Sequence, residues 1–374
     1  MIEDNRCKNR NFIRNIAVNT LSFIIKSYNK WLLQRRIKNM DNTYYALIDN
    51  TSILTKKELN QINEFYKKYV NIRWYSHAFY KEKTGIFDPL YIPDSIFNNY
   101  VDRYFNNWNI ANYLDNKCYY LRMFNKVNQP KMVTYRTNNY WYNSDGMIID
   151  FNNAVEYVFI NQSDCFIKKA INSFGGKGVY YFDTANKTKS DFINIINNIR
   201  GDIVIQEKII QHPILAKLNE DSCNSVRVLS MLNSDGSVKI YSSILRMGLK
   251  GAKVDNASSG GISVGILSDG KLKDIAYTNK GEKFTEHPSS HVIFSDYYVP
   301  SYSKIIDLIK NIHPEFPYFR LISWDWAIDS NEEPVFIEAN LCDGELDFHQ
   351  LNNGPVFGKD TETILNEVFA TKNI

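Results

Sequence analysis

Phe166-Ile167-Lys168-Lys169-Ala170, followed by Ser173-Phe174-Gly175-Gly176-Lys177-Gly178 and Val179-Tyr180-Tyr181-Phe182, reads as strand, glycine-rich turn, strand. That order selects among nucleotide-binding designs. A Walker loop or a dinucleotide fingerprint runs from its glycines into a helix N-terminus, where free N–H groups and the helix dipole hold phosphate. No helical pattern starts after Gly178. These glycines instead suit a hairpin that lies close over a polyphosphate through backbone N–H groups, with a lysine charge coming from the strand before it. Protein kinases place their lysine after the glycine hairpin, so their order is reversed.

Working outward, 374 residues can fill two or three domains, and 44% hydrophobic with 23% charged residues is the balance of a soluble globular chain. The net charge of +3 is too small for a dedicated nucleic-acid binder, so no nucleic-acid partner is expected. Five cysteines (Cys7, Cys118, Cys165, Cys223, Cys342) are odd in number, far apart and outside any Cys/His pair, which argues against a disulfide framework or a zinc site. Residues 1–10 are polar and the apolar stretch after them is interrupted by Arg14 and Lys26, so a cytoplasmic protein without a signal peptide is expected.

Residues 12–38 read as one helix, with Phe12, Ile16, Leu21, Phe23, Ile24, Tyr28, Trp31 and Leu32 apolar and Arg14, Lys26, Lys30, Arg35, Arg36 and Lys38 around them. Such a helix either packs on the protein's own core, the favoured expectation, or makes peripheral contact with an anionic membrane at its inner face. A second helix spans 55–69, and 70–115 is aromatic and Asn-rich. From Met132 the pattern turns to short strands: 132–135, the glycine hairpin, a helix over 189–199, and Ile203–Glu207. Strands over 225–231 and 237–247, a Gly-rich excursion over 248–261, a helix over 303–312, and a hairpin of 321–328 with 334–339 complete it. The class is α+β, divided as 1–115 (helical and irregular), 116–210 (with the hairpin) and 211–374.

Alternation puts Glu338 and Asn340 on one face of the last strand, with Asp325 opposite them if the hairpin pairs in register. Two carboxylates and an amide oxygen are hard ligands of the kind magnesium takes alongside nucleotide phosphates. Asp325 lies between Trp324 and Trp326, and Glu338 follows Phe336-Ile337, so an incidental surface role would bury acids at a cost. Arg227 and Arg246 also lie on apolar strands and need an anion there: phosphate, a substrate carboxylate, or a structural salt bridge. His212, His287 and His291 lie in loop-like sequence and suggest no zinc.

The lysine-before-glycine hairpin, the strand ending Gln206-Glu207, the Arg-bearing strands and the Asp325, Glu338-Ala339-Asn340 set together resemble the ATP-grasp superfamily over residues 116–350. Gln211-His212-Pro213, Asn224-Ser225-Val226-Arg227, Leu245-Arg246-Met247-Gly248, Val254-Asp255-Asn256 with Gly260-Gly261, and His287-Pro288 are similar to its sugar-transfer-associated branch, found among bacterial surface-polysaccharide genes. The resemblance implies an ATP-grasp fold with ATP between two α+β subdomains. Lys168 then holds phosphate, although Lys169 stands where the family has proline and leaves the choice between them open. Phe166 and Ile337 line adenine, while Glu207, Lys208 and Ile209 form the hinge beside Gln206. Ser173, Gly175, Gly176, Lys177 and Gly178 cover the phosphates. His212 and Asn256 join the nucleotide set, and either Lys117 or Arg122 adds a further phosphate contact. Asp325, Glu338 and Asn340 hold Mg2+, and Arg227 and Arg246 are catalytic.

The implied activity is an ATP- and magnesium-dependent carboxylate–amine ligase working through an acyl phosphate, on a sugar or sugar-linked acid in polysaccharide assembly. Transfer of phosphate to a sugar hydroxyl and nucleotide binding without turnover are the alternatives.

Overall fold

A computed structural model describes residues 2–160, 164–171, 178–252 and 260–370, with side chains from residue 18 onward. Two antiparallel sheets organise the chain. The first joins β1 (Met132–Thr137), β2 (Tyr140–Asn143), β3 (Ile148–Ile149), β4 (Cys165–Lys169), β5 (Val179–Phe182) and β6 (Ile203–Glu207) in the order β3-β2-β1-β6-β4-β5. The second joins β7 (Ser225–Leu232), β8 (Val238–Met247), β9 (Ile262–Ile266), β10 (Leu272–Tyr277), β11 (Lys283–Phe284), β12 (Leu321–Ile328) and β13 (Pro334–Asn340) in the order β11-β10-β9-β8-β7-β12-β13. This is the α+β, two-subdomain architecture expected of an ATP-grasp protein.

In the first sheet Cys165 and Ile167 of β4 point, with Ile203 and Ile205 of β6, at the helices Phe151–Ile160 and Lys189–Asn198 and fill one core with Val155, Phe182 and Phe192. Period-two alternation therefore sends Phe166 and Lys168 to the opposite face, where Val204 and Met132 lie. A capping box fixes the start of the second helix: Thr188 accepts from Asp191 N, and the Asp191 carboxylate accepts in return from Thr188 N.

The second sheet is covered on both faces. Trp324, Trp326, Val226, Val228 and Leu245 pack with Ile305 and Ile309 of the helix Tyr302–Ile312. On the other face Leu229, Met231 and Leu321 meet a core built from residues of 44–105 and from the helices Asp347–Asn353 and Thr361–Ala370. The aromatic stretch after residue 70 forms short helices, Tyr75–Thr84 among them, with Tyr80 stacked on Tyr91 at 4.5 Å.

One expectation is corrected. The first helix is longer than its apolar pattern suggested, Ile2–Tyr45, and the described part of its apolar stripe, from residue 18 to 32, does not pack on the protein. Leu21, Ile24, Tyr28, Trp31 and Leu32 are exposed, and among the described side chains of the helix the buried ones are Asp41 and Tyr44, in its last turns. The sequence period marks which side chains share a face but not what that face meets, and here the docking turns use another face.

Candidate active site

The site is built on the face of the second sheet away from Trp324 and Trp326. Arg227 pairs directly with Asp325 across β7 and β12, and Asp325 with Glu338 across β12 and β13. Arg246 pairs with Ser225, two residues from Arg227 and hence on the same face. Four charged side chains thus stand side by side on four adjacent strands. Asn340 pairs with Ser323, two residues from Asp325, so the hairpin is in the register the sequence required. A bulge follows: Asp325 opposes Glu338 while Trp326 opposes Phe336, and Ile337 is the extra residue.

Electrostatics tie the row together. The guanidinium of Arg227 donates from Nε to Asp325 Oδ1 and from Nη2 to Oδ2, both at 2.7 Å, and its Nη1 reaches Glu345. Arg246 Nη1 lies 3.6 Å from Asp325 Oδ2. Burial alone would raise the Asp325 pKa, but Arg227, Arg246 and a hydrogen bond from Asn340 outweigh it and hold it below the ordinary value. Glu338 is gripped by Lys117 at 3.0 Å. Burial pushes the Lys117 pKa down, yet the carboxylates of Glu338 and Asp115 win and raise it, so this amine stays charged.

Lys117 also links the two sheets, since its backbone N–H donates to Ala170 O at the end of β4 while its side chain lies on β13. Arg122, its rival in the sequence, is instead beside Gly146. On the first sheet Lys168 Nζ lies 5.8 Å from the Phe166 ring, on their shared face. The Lys169 stem packs against Gly178, where an added Cβ would come within 2.9 Å of it, and Lys169 N donates to Gly178 O. The segment after β6 crosses to the second sheet: Glu207 pairs with Lys131 at 2.7 Å, Lys208 N donates to Asp164 O, and Gln211 bridges to Asp329. Gln206 is buried opposite Phe166.

Arg227, His212 and His287 each have a partner within the protein. Arg227 has an anion in Asp325, so the salt bridge that the sequence left as one alternative is present. His212 caps the short helix Pro213–Ala216 by accepting from Ile214 N at 3.2 Å, a local structural use for its ring. His287 is buried with its Nε2 3.0 Å from Gly248 O, and burial lowers its pKa. Ser173, Gly175, Gly176, Lys177, Val254, Asp255 and Asn256 lie outside the described residues.

Sequence reasoning missed the acids behind the row. Glu345 touches Arg227, and Asp347 is pushed well up by burial and by the neighbouring Asp94 and Glu345. His349 is held neutral, its pKa near 3, by burial and by the arginines, with Nδ1 2.8 Å from Ser242 Oγ. Their signal was the run Asp343-Gly344-Glu345-Leu346-Asp347, directly after the metal-type strand.

Two carboxylates abreast with an amide beside them form a hard-oxygen set that fits magnesium, and the cations clustered around them fit a triphosphate. The chain belongs to the sugar-transfer-associated ATP-grasp family, whose sequence model matches residues 96–366. Solved structures it resembles include the biotin carboxylase domain of the Hydrogenobacter thermophilus 2-oxoglutarate carboxylase, at TM-score 0.42 and 10% identity over 71% of this chain and 47% of that one. The VanG D-Ala:D-Ser ligase of Enterococcus faecalis gives 0.41 and 13% over 68% and 61%. The ATP-grasp ligase PsnB, solved with a minimal precursor, gives 0.41 and 12% over 70% and 64%. The chain thus spans between about half and two thirds of the length of these relatives. No protein of curated function matches it in sequence.

Proposed function

We propose that the protein is a Mg-ATP-dependent carboxylate–amine ligase acting on a sugar or sugar-linked acid in cell-surface polysaccharide assembly, within the cytoplasm where ATP is available. The observation that carries this reading is the row Arg246, Arg227, Asp325, Glu338 on one sheet face, with Lys117 reaching it from the other sheet. The family's association with sugar transfer supplies the substrate class.

A carboxylate oxygen of the substrate attacks the γ-phosphorus of ATP, the bond to the bridging oxygen breaks, and ADP leaves. The amine then attacks the acyl carbon of the mixed anhydride, inorganic phosphate departs, and the nitrogen loses a proton. Asp325, Glu338 and Asn340 would hold magnesium, which would supply charge neutralisation on the transferring phosphoryl group. Arg227 fixes the Asp325 carboxylate, while Arg246 and Lys117 offer positive charge to the anions gathered there. Lys168 holds phosphate from the opposite sheet, and Phe166, Ile337 and residues 206–209 enclose the base.

Hydroxylamine trapping tests the reaction class. With candidate uronic acids and ATP, the expected products are ADP and phosphate in equal amounts, plus a hydroxamate when hydroxylamine replaces the amine. Phosphate retained on a sugar hydroxyl without hydroxamate would make the protein a phosphotransferase.

A further inference from the structure

The first helix carries the largest feature that the ATP site leaves unused. Every side chain from Val18 to Leu32 is exposed. Val18, Leu21, Ile24, Ile25, Tyr28, Trp31 and Leu32 recur at spacings of three and four and form one stripe, while Phe23, Lys26 and Lys30 lie on the opposite side. Leu21 is 58% exposed and Trp31 52%, figures far from the packed interior. Tyr28 stacks on Trp31 at 5.9 Å, and Arg35 lies 5.4 Å from the Trp31 ring, which gathers amphipathic side chains at one end of the stripe. A free helix of about fifteen residues is marginal in water, so this stretch has reason to find a partner.

Charge identifies that partner. Of the chain's 44 Lys and Arg, nine lie within residues 5–40, and of its 41 Asp and Glu none does. The rest of the chain is therefore net acidic, and the helix is a concentrated cation. A second copy is a poor occupant. The heptad Val18, Leu21, Ile25, Tyr28, Leu32 is broken by Arg14 before it and Arg35 after it, only about two heptads, and no acid is present to pair with the partner's cations. Nor is the helix long and apolar enough to cross a membrane.

We infer that the stripe Val18–Leu32 lies in the headgroup region of an anionic lipid bilayer, apolar side chains down, with Arg35, Arg36 and Lys38, which follow on or beside the same face, on the lipid phosphates. The pattern is that of an interfacial helix, with tryptophan and tyrosine where water meets acyl chain. Such an anchor would hold the ATP site beside lipid-linked substrate, and it stands whether or not the ligase chemistry does.

Flotation of the full chain with vesicles tests it. Binding is expected to phosphatidylcholine vesicles containing phosphatidylglycerol, and not to phosphatidylcholine alone. The double variant Arg35→Gln, Arg36→Gln should weaken binding about thirtyfold. Ile24→Asp with Trp31→Asp should abolish it, and since both sites are exposed the thermal midpoint should not move. Absence of binding to anionic vesicles, binding that these substitutions leave intact, or a dimer in solution that the Asp variant dissolves would each overturn the inference.

Discussion

Arg227→Met is the perturbation that best separates orientation from substrate binding. The side chains of Arg227 and Asp325 are 5% and 4% exposed, so the substitution leaves a carboxylate buried without its main partner. Removing one member of a buried ion pair costs about 3–5 kcal/mol. Arg246, at 3.6 Å from Asp325 Oδ2, remains and should keep the loss toward the lower end of that range. For a chain of this size the thermal midpoint should fall by about 4–8 °C. The double variant Arg227→Met, Asp325→Leu removes both members of the pair and should recover part of the loss, because apolar residues of similar volume replace buried pairs at little cost, while Arg246 loses its contact with Asp325 and keeps the recovery incomplete.

The pH dependence has a definite sign. In the wild type the Asp325 pKa is lowered, so its stabilising contribution is full above the ordinary Asp value and is lost as pH falls through the folded-state value. In the variant burial is less opposed, the folded pKa rises, and protonation favours the folded state. The stability gap between the two proteins should therefore be widest at neutral pH and shrink as pH falls toward about 4. Urea titrations of wild type, single and double variants at several pH values make the measurement. A double variant as unstable as the single one, or a gap independent of pH, would refute the reasoning.

Glu338→Gln keeps volume and loses only charge, so turnover should vanish while the fold survives; unchanged magnesium-dependent activity would remove Glu338 from the metal set. Lys168→Ala should weaken ATP binding by about 1.5–3 kcal/mol, some ten- to a hundredfold, as calorimetry reads it. Lys169→Ala should do much less because that stem packs on Gly178, and the opposite ranking would assign the phosphate contact to Lys169.

Much of the second sheet was legible because its strands carry two periodic signals at once. Trp324 and Trp326 mark the buried face, so Asp325 between them had to lie on the other, and the hairpin with β13 then fixed Glu338 opposite it. The same parity on β4 separates Lys168 from Lys169. The fate of Arg227 was not legible: an arginine on an apolar strand announces an anion, but whether that anion is a substrate or a neighbouring strand's aspartate depends on register between β7 and β12, segments nearly a hundred residues apart. The acids at Glu345 and Asp347 escaped for a related reason. They follow the last strand in a loop, where no periodicity says which way a side chain turns. The first helix failed differently, since alternation of apolar and basic residues is the same for a face against protein and a face against lipid.

The ion pairs at the two carboxylates bear on how the site fills. Both carboxylates proposed for magnesium are already held by protein cations, Asp325 by Arg227 and Glu338 by Lys117 at 3.0 Å. The two grips differ in kind. Arg227 is buried on a central strand, uses both oxygens of Asp325, and leaves each oxygen lone pairs for another partner, so it can stay in place while a metal binds. Lys117 is a single point charge on a flexible stem, and Glu338 is partly open to solvent, so this contact is the one a metal would displace. A bare magnesium ion would have to expel that lysine into a region already crowded with guanidinium groups. A nucleotide arriving with the metal offers the displaced amine a phosphate instead, at the junction where Lys117 N donates to Ala170 O and the first sheet begins. Exchange of Lys117 from carboxylate to phosphate would couple metal entry to nucleotide entry, and on that reading magnesium without nucleotide should leave the thermal midpoint nearly unchanged, whereas a rise with magnesium alone would refute the coupling.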